Sequence, residues 1–417
     1  MPHIKNLFVS IVLLFILQSC AVKKSKNKYL SEESTPYFSG LIVYNPLTND
    51  TLVNYNSEKY FTPASTVKLF TLYTSLHTLK DSIATVSTYE TQDRLYIKPL
   101  ADPSFLHDSL PNSTYDFLSK INKDLLLVSD DFDDFIYGDG WQWDDFQYYY
   151  MPEKSIFPIY GNLALLKDNQ TLIPGFFNSE LKAPRADGFH RDFFQNEFYK
   201  DSMARKRRKI PFKTSFELSR QLLSDTLHKP VFVARELEKA VFTPYTSTPT
   251  SPIYERLMQE SENFIAEQLF LIVAKQKTNQ YKVKNAISYA LDSLLVDIPN
   301  TPKWKDASGL SRYNLFTPKS MLYLLTKLYN DFGEETALGL MPKNGVGGKL
   351  QKWYPYNRRF LYAKTGSLSN NHNICGYIKT EKGNLLIFSF MNNNYMKRSS
   401  AVRKSMNKVL IDLYKTY

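Results

Sequence analysis

The sequence predicts a mixed α/β protein whose principal sheet is assembled from both ends of the chain. Strand-like apolar runs occur early, at 37–44 and 51–55, and again late, at 360–364, 374–380 and 385–391. Helical periodicity lies between them, at 253–274 and 319–329, and a last helix is expected over 400–414. The stretch 82–247 has no single dominant period and reads as inserted material. The expected organisation is a leader at 1–19, a spacer at 20–36, one unit built from 37–81 and 248–417, and one or more inserted domains at 82–247.

Each element has a local reason. The two early strands are joined by a turn at 45–50 (NPLTND). Thr62-Pro63-Ala64-Ser65 then precedes apolar residues at helical spacing, namely Val67, Leu69, Phe70, Leu72 and Leu76, so Ser65 falls at or near a helix N-terminus. Within the insert, β-like pieces are expected at 125–128, 156–166 and 231–234. An acidic, aromatic run covers 130–150, and the basic run Arg205 to Lys209 is read as a solvated loop. The stretch 306–314 is turn-rich, and the last two strands are joined through Glu381-Lys382-Gly383-Asn384.

A chain of 417 residues, 43% hydrophobic and 22% charged, is large enough for two or three cores. Its net charge of +11 suits work near polyanions, which include cell-wall polymers and lipid headgroups as well as nucleic acid. The N-terminus narrows the choice. Lys5 is followed by the apolar run 7–17 and by Ser19-Cys20, a run too short to span a bilayer. A small residue before a cysteine at this place resembles the lipobox of bacterial lipoproteins. The expectation is an exported protein held on a bacterial membrane by lipid on Cys20, and export leaves no place for nucleic acid as a partner. A plain signal peptide is the alternative. Cys375, the one other cysteine, would then have no partner within the chain and is expected to be a buried thiol.

Ser65 and Lys68 stand three residues apart, which puts both side chains on one helical face. A lysine amine can take the proton from a serine nucleophile when burial or neighbouring charge lowers its pKa. The pattern alone is weak, because Ser-x-x-Lys also occurs at Ser25, Ser179 and Ser405. Context separates them, since Ser65 alone opens an apolar helix after a proline-containing turn. Two further elements follow in order, Ser261-Glu262-Asn263 and Lys364-Thr365-Gly366-Ser367, and Lys-Thr-Gly occurs once in the chain. Gly366 is expected to end a strand and to let a substrate backbone approach the sheet edge.

Longer stretches extend the pattern: 63–68 (PASTVK), 101–104 (ADPS), 140–145 (GWQWDD), 261–267 (SENFIAE), 306–312 (DASGLSR) and 363–366 (AKTG). With these the sequence resembles the class C low-molecular-mass penicillin-binding proteins, of the penicillin-binding protein 4 type. The resemblance implies the transpeptidase fold shared with serine β-lactamases, an antiparallel sheet flanked by helices. It also implies D-Ala-D-Ala carboxypeptidase or endopeptidase activity on peptidoglycan stem peptides, and covalent inhibition by β-lactams.

On the same resemblance Ser65 is the nucleophile and Lys68 its base. Ser261 passes a proton toward the leaving amine, and Asn263 holds the substrate backbone. Lys364 supplies positive charge near Ser261, Thr365 hydrogen-bonds the substrate carboxylate, and the N–H groups of Ser65 and Ser367 form the oxyanion hole. Asp145 is implied as the contact for the amino group of a diaminopimelate side chain, against a plain reading of an acidic loop anchored by Trp141 and Trp143. Glu262 and Ala307 depart from the residues the family commonly has there.

No cofactor or metal is expected. The six histidines lack His-Glu-x-x-His spacing, and the acidic run lacks the spacing of a calcium loop. The alternatives kept are a serine β-lactamase and a catalytically silent wall-binding lipoprotein.

Overall fold

The computed structural model describes residues 29–30, 37–203, 206–234, 237, 240–345 and 349–417. The leader, Cys20, Ser25 and most of the spacer lie outside them.

Five antiparallel strands form the principal sheet, in the order β13-β14-β15-β1-β2. The early pair is β1 (Phe38–Asn45) and β2 (Asp50–Tyr55). The late trio is β13 (Leu361–Leu368), β14 (Asn371–Lys379) and β15 (Leu385–Asn393). β1 joins the two groups by pairing with β15, Ile42 opposite Ser389. Alternation explains why these strands are so apolar. In β15, Leu385, Ile387 and Met391 face one core while Leu386, Phe388 and Phe390 face another. A sheet covered on both sides needs apolar residues at consecutive positions.

One side is covered by helices α1 (Lys68–Thr78), α2 (Thr250–Gln259), α3 (Asn263–Thr278) and α4 (Pro318–Gly339); α5 (Ser399–Thr416) covers the other. Helix α3 is buried at every position from Asn263 to Ala274, where all but Asn263, Glu267 and Gln268 are apolar. The start of α4 is fixed by Thr317, which accepts the Ser320 N–H at 3.0 Å, with Pro318 in the first turn. Such a cap contributes about 1 kcal/mol.

Residues 82–249 build separate sheets. One has the order β11-β5-β4-β3-β12, from β3 (Ser82–Glu90), β4 (Arg94–Pro99), β5 (Asp124–Val128), β11 (Val231–Ala234) and β12 (Thr243–Pro249). A second has the order β10-β6-β7, from β6 (Leu163–Lys167), β7 (Thr171–Ile173) and β10 (Arg207–Pro211). A short parallel pair, β8 (Leu181–Lys182) and β9 (Phe198–Tyr199), lies beside them. These sheets share a core of their own that includes Val86, Phe105, Leu127, Phe177 and Leu223.

The structure corrects four local expectations. The apolar run 253–274 is two helices, broken at Ser261, whose φ is +61°. Of the run 156–166 only 163–166 is strand, as part of β6. Pro158 has no N–H to donate, and Gly161 turns the chain with φ +63°. Arg207 to Lys209 belong to edge strand β10 rather than a loop. Arg208 is paired with Asp201 at 2.5 Å and Lys209 with Asp108 at 2.7 Å. Finally, β13 runs through Gly366 instead of ending there.

Candidate active site

Ser65 sits in a 3-10 turn, Ala64–Val67, that passes directly into α1 at Lys68. The helical offset of three brings the Lys68 Nζ to 3.0 Å from Ser65 Oγ. Lys68 is fully buried, and its Nζ also donates to Asn263 Oδ1 and to the Ser308 carbonyl, each at 2.6 Å. Asn263 and Ser308 thus hold the Lys68 amine against the Ser65 hydroxyl.

The break between α2 and α3 presents Ser261. Its left-handed backbone turns the side chain toward β13, where Lys364 Nζ donates to Ser261 Oγ at 2.7 Å. Asn263 opens α3. Its Oδ1 takes the Lys68 proton donor, and its Nδ2 donates to the Tyr150 carbonyl at 2.8 Å. Its carboxamide is thus spent on holding Lys68 and the Tyr150 segment. Glu262, between them, lines the same cleft. It is gripped by Arg256 Nε at 2.6 Å and His107 Nε2 at 3.1 Å. Burial alone would raise its pKa, but His107 and Arg256 together hold the carboxyl below its ordinary value. The longer glutamate side chain at this position reaches both partners.

Gly366 also has a task within the chain. A Cβ there would lie 2.5 Å from the Pro63 carbonyl and 2.8 Å from the Ser65 nitrogen. The missing side chain lets the nucleophile turn press against β13. Gly309, with φ +80°, does the same from the other side, where a Cβ would overlap the Ala64 carbonyl. Ala307 does not take a left-handed φ, so alanine serves where the family commonly has glycine. Thr365 and Ser367 alternate with Lys364 and Gly366, and both line the cleft. Ser367 Oγ is bonded to His372 Nδ1 at 2.6 Å, and His372 Nε2 to Tyr354 Oη at 2.7 Å. Burial first, and then Arg403, push the His372 pKa down to about 3, so the ring is neutral.

The cleft holds about 630 Å³ and brings together Ser65, Ser261, Asn263, Thr365, Ser367 and Asp145. Asp145 lies in a 3-10 turn, Trp143–Gln147, and accepts from Tyr150 Oη at 2.8 Å. Burial and the neighbouring Asp144 raise its pKa, which Tyr150 and Arg312 oppose. Arg312 lines the same cleft, its Nη2 donating to Gln142 at 3.0 Å.

Several groups were not singled out in the sequence. The Ser308 carbonyl belongs to a loop organised by Asp306, which accepts from Trp141 Nε1 at 2.8 Å, Gly309 N at 2.9 Å, Ser311 N at 2.6 Å and Asn314 Nδ2 at 2.7 Å. Glu267, one turn after Asn263 on α3, accepts the Ser308 N–H at 2.8 Å. Burial, with Asp306 nearby, pushes its carboxyl up to about 7. The signal in the sequence was a carboxylate within the mostly apolar first part of the helix. Of the other Ser-x-x-Lys serines, Ser179 and Ser405 are exposed and outside this cleft. Cys375 is buried with its thiol pushed up to about 12, chiefly by burial. Among the described residues no three His, Cys, Asp or Glu side chains are grouped to hold a metal.

A serine that shares a buried lysine with an asparagine, on a helix packed against an antiparallel sheet, is the machinery of serine hydrolases that work through an acyl-enzyme, and this chain has that fold and site. Its family is narrower. The profile of the D-Ala-D-Ala carboxypeptidase 3 (S13) family matches residues 24–170 and 216–413, and the chain belongs to that family. It is a serine-type D-Ala-D-Ala peptidase. The chain is 25% identical over 413 residues to the D-alanyl-D-alanine carboxypeptidase DacB of Haemophilus influenzae, covering 85% of each. In fold it is similar to the crystal structure of penicillin binding protein 4 (dacB) from Haemophilus influenzae. That match has a TM-score of 0.76 and 20% identity, and covers 92% of this chain and 98% of the other. The predatory peptidoglycan endopeptidase Bd3459 of Bdellovibrio bacteriovorus shares the fold at a TM-score of 0.53 and 15% identity, over 91% of this chain and 93% of that one.

Proposed function

We propose that the protein cleaves the D-Ala-D-Ala bond of peptidoglycan stem peptides through an acyl-enzyme on Ser65. The observation that carries this is the Lys68 Nζ, 3.0 Å from Ser65 Oγ and fixed by Asn263 and Ser308. Lys68 takes the Ser65 proton as Oγ attacks the carbonyl carbon of the penultimate D-Ala. The N–H groups of Ser65 and Ser367 receive the oxyanion. The C–N bond breaks, and the proton that Lys68 took passes through Ser261, supported by Lys364, to the departing amine, which leaves Lys68 neutral again. Water then gives a proton to Lys68 as it attacks the ester, and Lys68 returns that proton to Ser65 Oγ as the ester C–O bond breaks, which frees the peptide acid and restores the Ser65 hydroxyl. Thr365 binds the terminal carboxylate in this reading.

Asp145 and Arg312 both line the cleft with opposite charges. That pair suits a third residue whose side chain ends in an amine and a carboxylate, with Asp145 taking the amine. The cleft lining also takes in Glu260, Arg256 and Lys209, beyond the residues assigned to catalysis. This extension supports a leaving group larger than free D-alanine, and hence cleavage of cross-links as well as trimming. β-Lactams acylate Ser65 in the same geometry.

The export reading joins this one. Lipid on Cys20 would hold the enzyme on a membrane facing the wall, and the family match begins shortly after that residue, at 24. Cys20→Ser should move the protein from the membrane fraction to the soluble fraction. Product analysis on pentapeptide and on cross-linked dimers tests the main reading. D-alanine and monomers are expected, and a protein that releases neither is not this enzyme. A penicillin label that persists for many minutes separates it from a β-lactamase, on which the label would turn over.

A further inference from the structure

The geometry points to a sugar-binding platform beside the cleft, formed by Trp143, Phe193 and Phe194, that takes the glycan strand carrying the stem peptide. It rests on the reading above that stem peptides occupy the cleft.

The family match leaves residues 171–215 uncovered. This segment folds against the turn that carries Asp145. Phe189 stacks on Phe146 at 5.6 Å, and Phe193 meets the same ring edge-on at 4.9 Å. Arg191, 1% exposed, sets its guanidinium 5.0 Å from the Phe146 centroid. His190 N donates to Gln147 Oε1 at 3.1 Å. With this side anchored, other rings are left facing water. Trp143 is 69% exposed, Phe194 82% and Phe193 40%. They are not scattered, because Phe193 contacts Trp143 at 6.3 Å and Phe194 at 5.1 Å. A contiguous group of exposed rings marks a binding surface.

Position and chemistry select the occupant. Trp143 stands two residues before Asp145 in one 3-10 turn, and Tyr149 and Tyr150 line the cleft just after it. A stem peptide runs from the scissile bond, past its third residue at Asp145, through two more residues to a sugar. Two extended residues span roughly 7 Å, so the sugar emerges next to this turn. A pyranose ring presents a flat face of C–H bonds and no charge, which an aromatic face fits and a cation does not. An anionic bilayer would instead need unpaired basic residues. The basic residues flanking the rings are engaged with acidic neighbours, Arg185 with Asp187 and Asp192, and Lys182 with Glu197.

The test compares D-alanine release from a free pentapeptide with release from the same pentapeptide attached to a disaccharide. The wild type is expected to show a KM about tenfold lower for the glycan-linked substrate, the size of one good ring contact. Phe194→Ala and Trp143→Ala should remove that advantage while leaving the free-peptide KM and penicillin acylation unchanged. Equal KM values in the wild type would overturn the platform. So would variants that weaken both substrates alike, or variants that keep the glycan preference and lose binding to phosphatidylglycerol vesicles. Failure of the wild type to release D-alanine from either substrate would instead strike the peptidase reading, and this inference with it.

Discussion

Glu267 accepts the backbone N–H of Ser308 at 2.8 Å, while the carbonyl of that same Ser308 accepts from the Lys68 Nζ at 2.6 Å. Helix α3 therefore holds the buried lysine by two arms one turn apart, directly through Asn263 and at one remove through Glu267. The arrangement makes the lysine's surroundings sensitive to a carboxyl that titrates near neutrality.

The first prediction concerns stability. Burial raises the Glu267 pKa from the ordinary glutamate value to about 7. A carboxyl raised in the folded state contributes stability that is fully present below its unfolded pKa and is lost as pH rises through the folded one. The wild type should lose on the order of 3 kcal/mol from this group between about pH 4.5 and pH 7. Glu267→Gln keeps an acceptor for Ser308 and removes the titration. Urea midpoints across that window should fall less steeply in the variant than in the wild type, and parallel curves would count against the assignment.

Asn263 is held to a stricter test by an isosteric change. Asn263→Ala removes an acceptor from the Lys68 Nζ, and penicillin acylation should slow about 10²-fold, the usual scale for a disabled general base. Asn263→Asp keeps the shape but sets a negative charge where Oδ1 now lies, 2.6 Å from Nζ. That charge favours the ammonium. Stopped-flow acylation should therefore show no rescue by aspartate near neutral pH.

Gly366→Ala should separate activity from folding. The new Cβ, 2.5 Å from the Pro63 carbonyl and 2.8 Å from the Ser65 nitrogen, must push the nucleophile turn off β13. Overpacking of this kind costs about 1–3 kcal/mol. Thermal unfolding should show a folded but weakened protein. Acylation should fall far more than stability does, because Ser65 itself is displaced.

Asp145→Asn tests the side-chain contact. The KM for a stem peptide whose third residue ends in an amine should rise about tenfold or more, the scale of a lost charge-assisted hydrogen bond. Penicillin lacks that group, so its acylation rate should hold. Equal effects on both would mean that Asp145 serves the turn and its bond to Tyr150 rather than the substrate.

Much of the fold was legible because its strands sit between two cores. Double burial writes long apolar runs into 374–378 and 385–391, and those runs survive without knowledge of their partners. The break at Ser261 was not legible. The apolar spacing continues across it from α2 into α3, and a left-handed serine leaves no mark in the composition. The site shows the same division. Ser65 and Lys68 are set by local helix geometry, so their spacing foretells their contact. The contact of Gly366 with the nucleophile turn was not foreseen, because that turn lies some 300 residues earlier in sequence, and only the folded sheet brings the two together. Ser308 acts through its backbone, so nothing in its residue type could disclose its bond to Lys68. The reach of β10 into the cleft through Lys209 depends on a pairing with β6, which a run of basic residues does not reveal.

The central claim is that Ser65 is the residue acylated. Incubation with penicillin, digestion and mass mapping of the adduct tests it most directly. A single penicilloyl group on the peptide containing Ser65, absent from Ser65→Ala and unchanged in Ser179→Ala and Ser405→Ala, is the predicted result. An adduct that persists in Ser65→Ala, or that maps to any other residue, would contradict it.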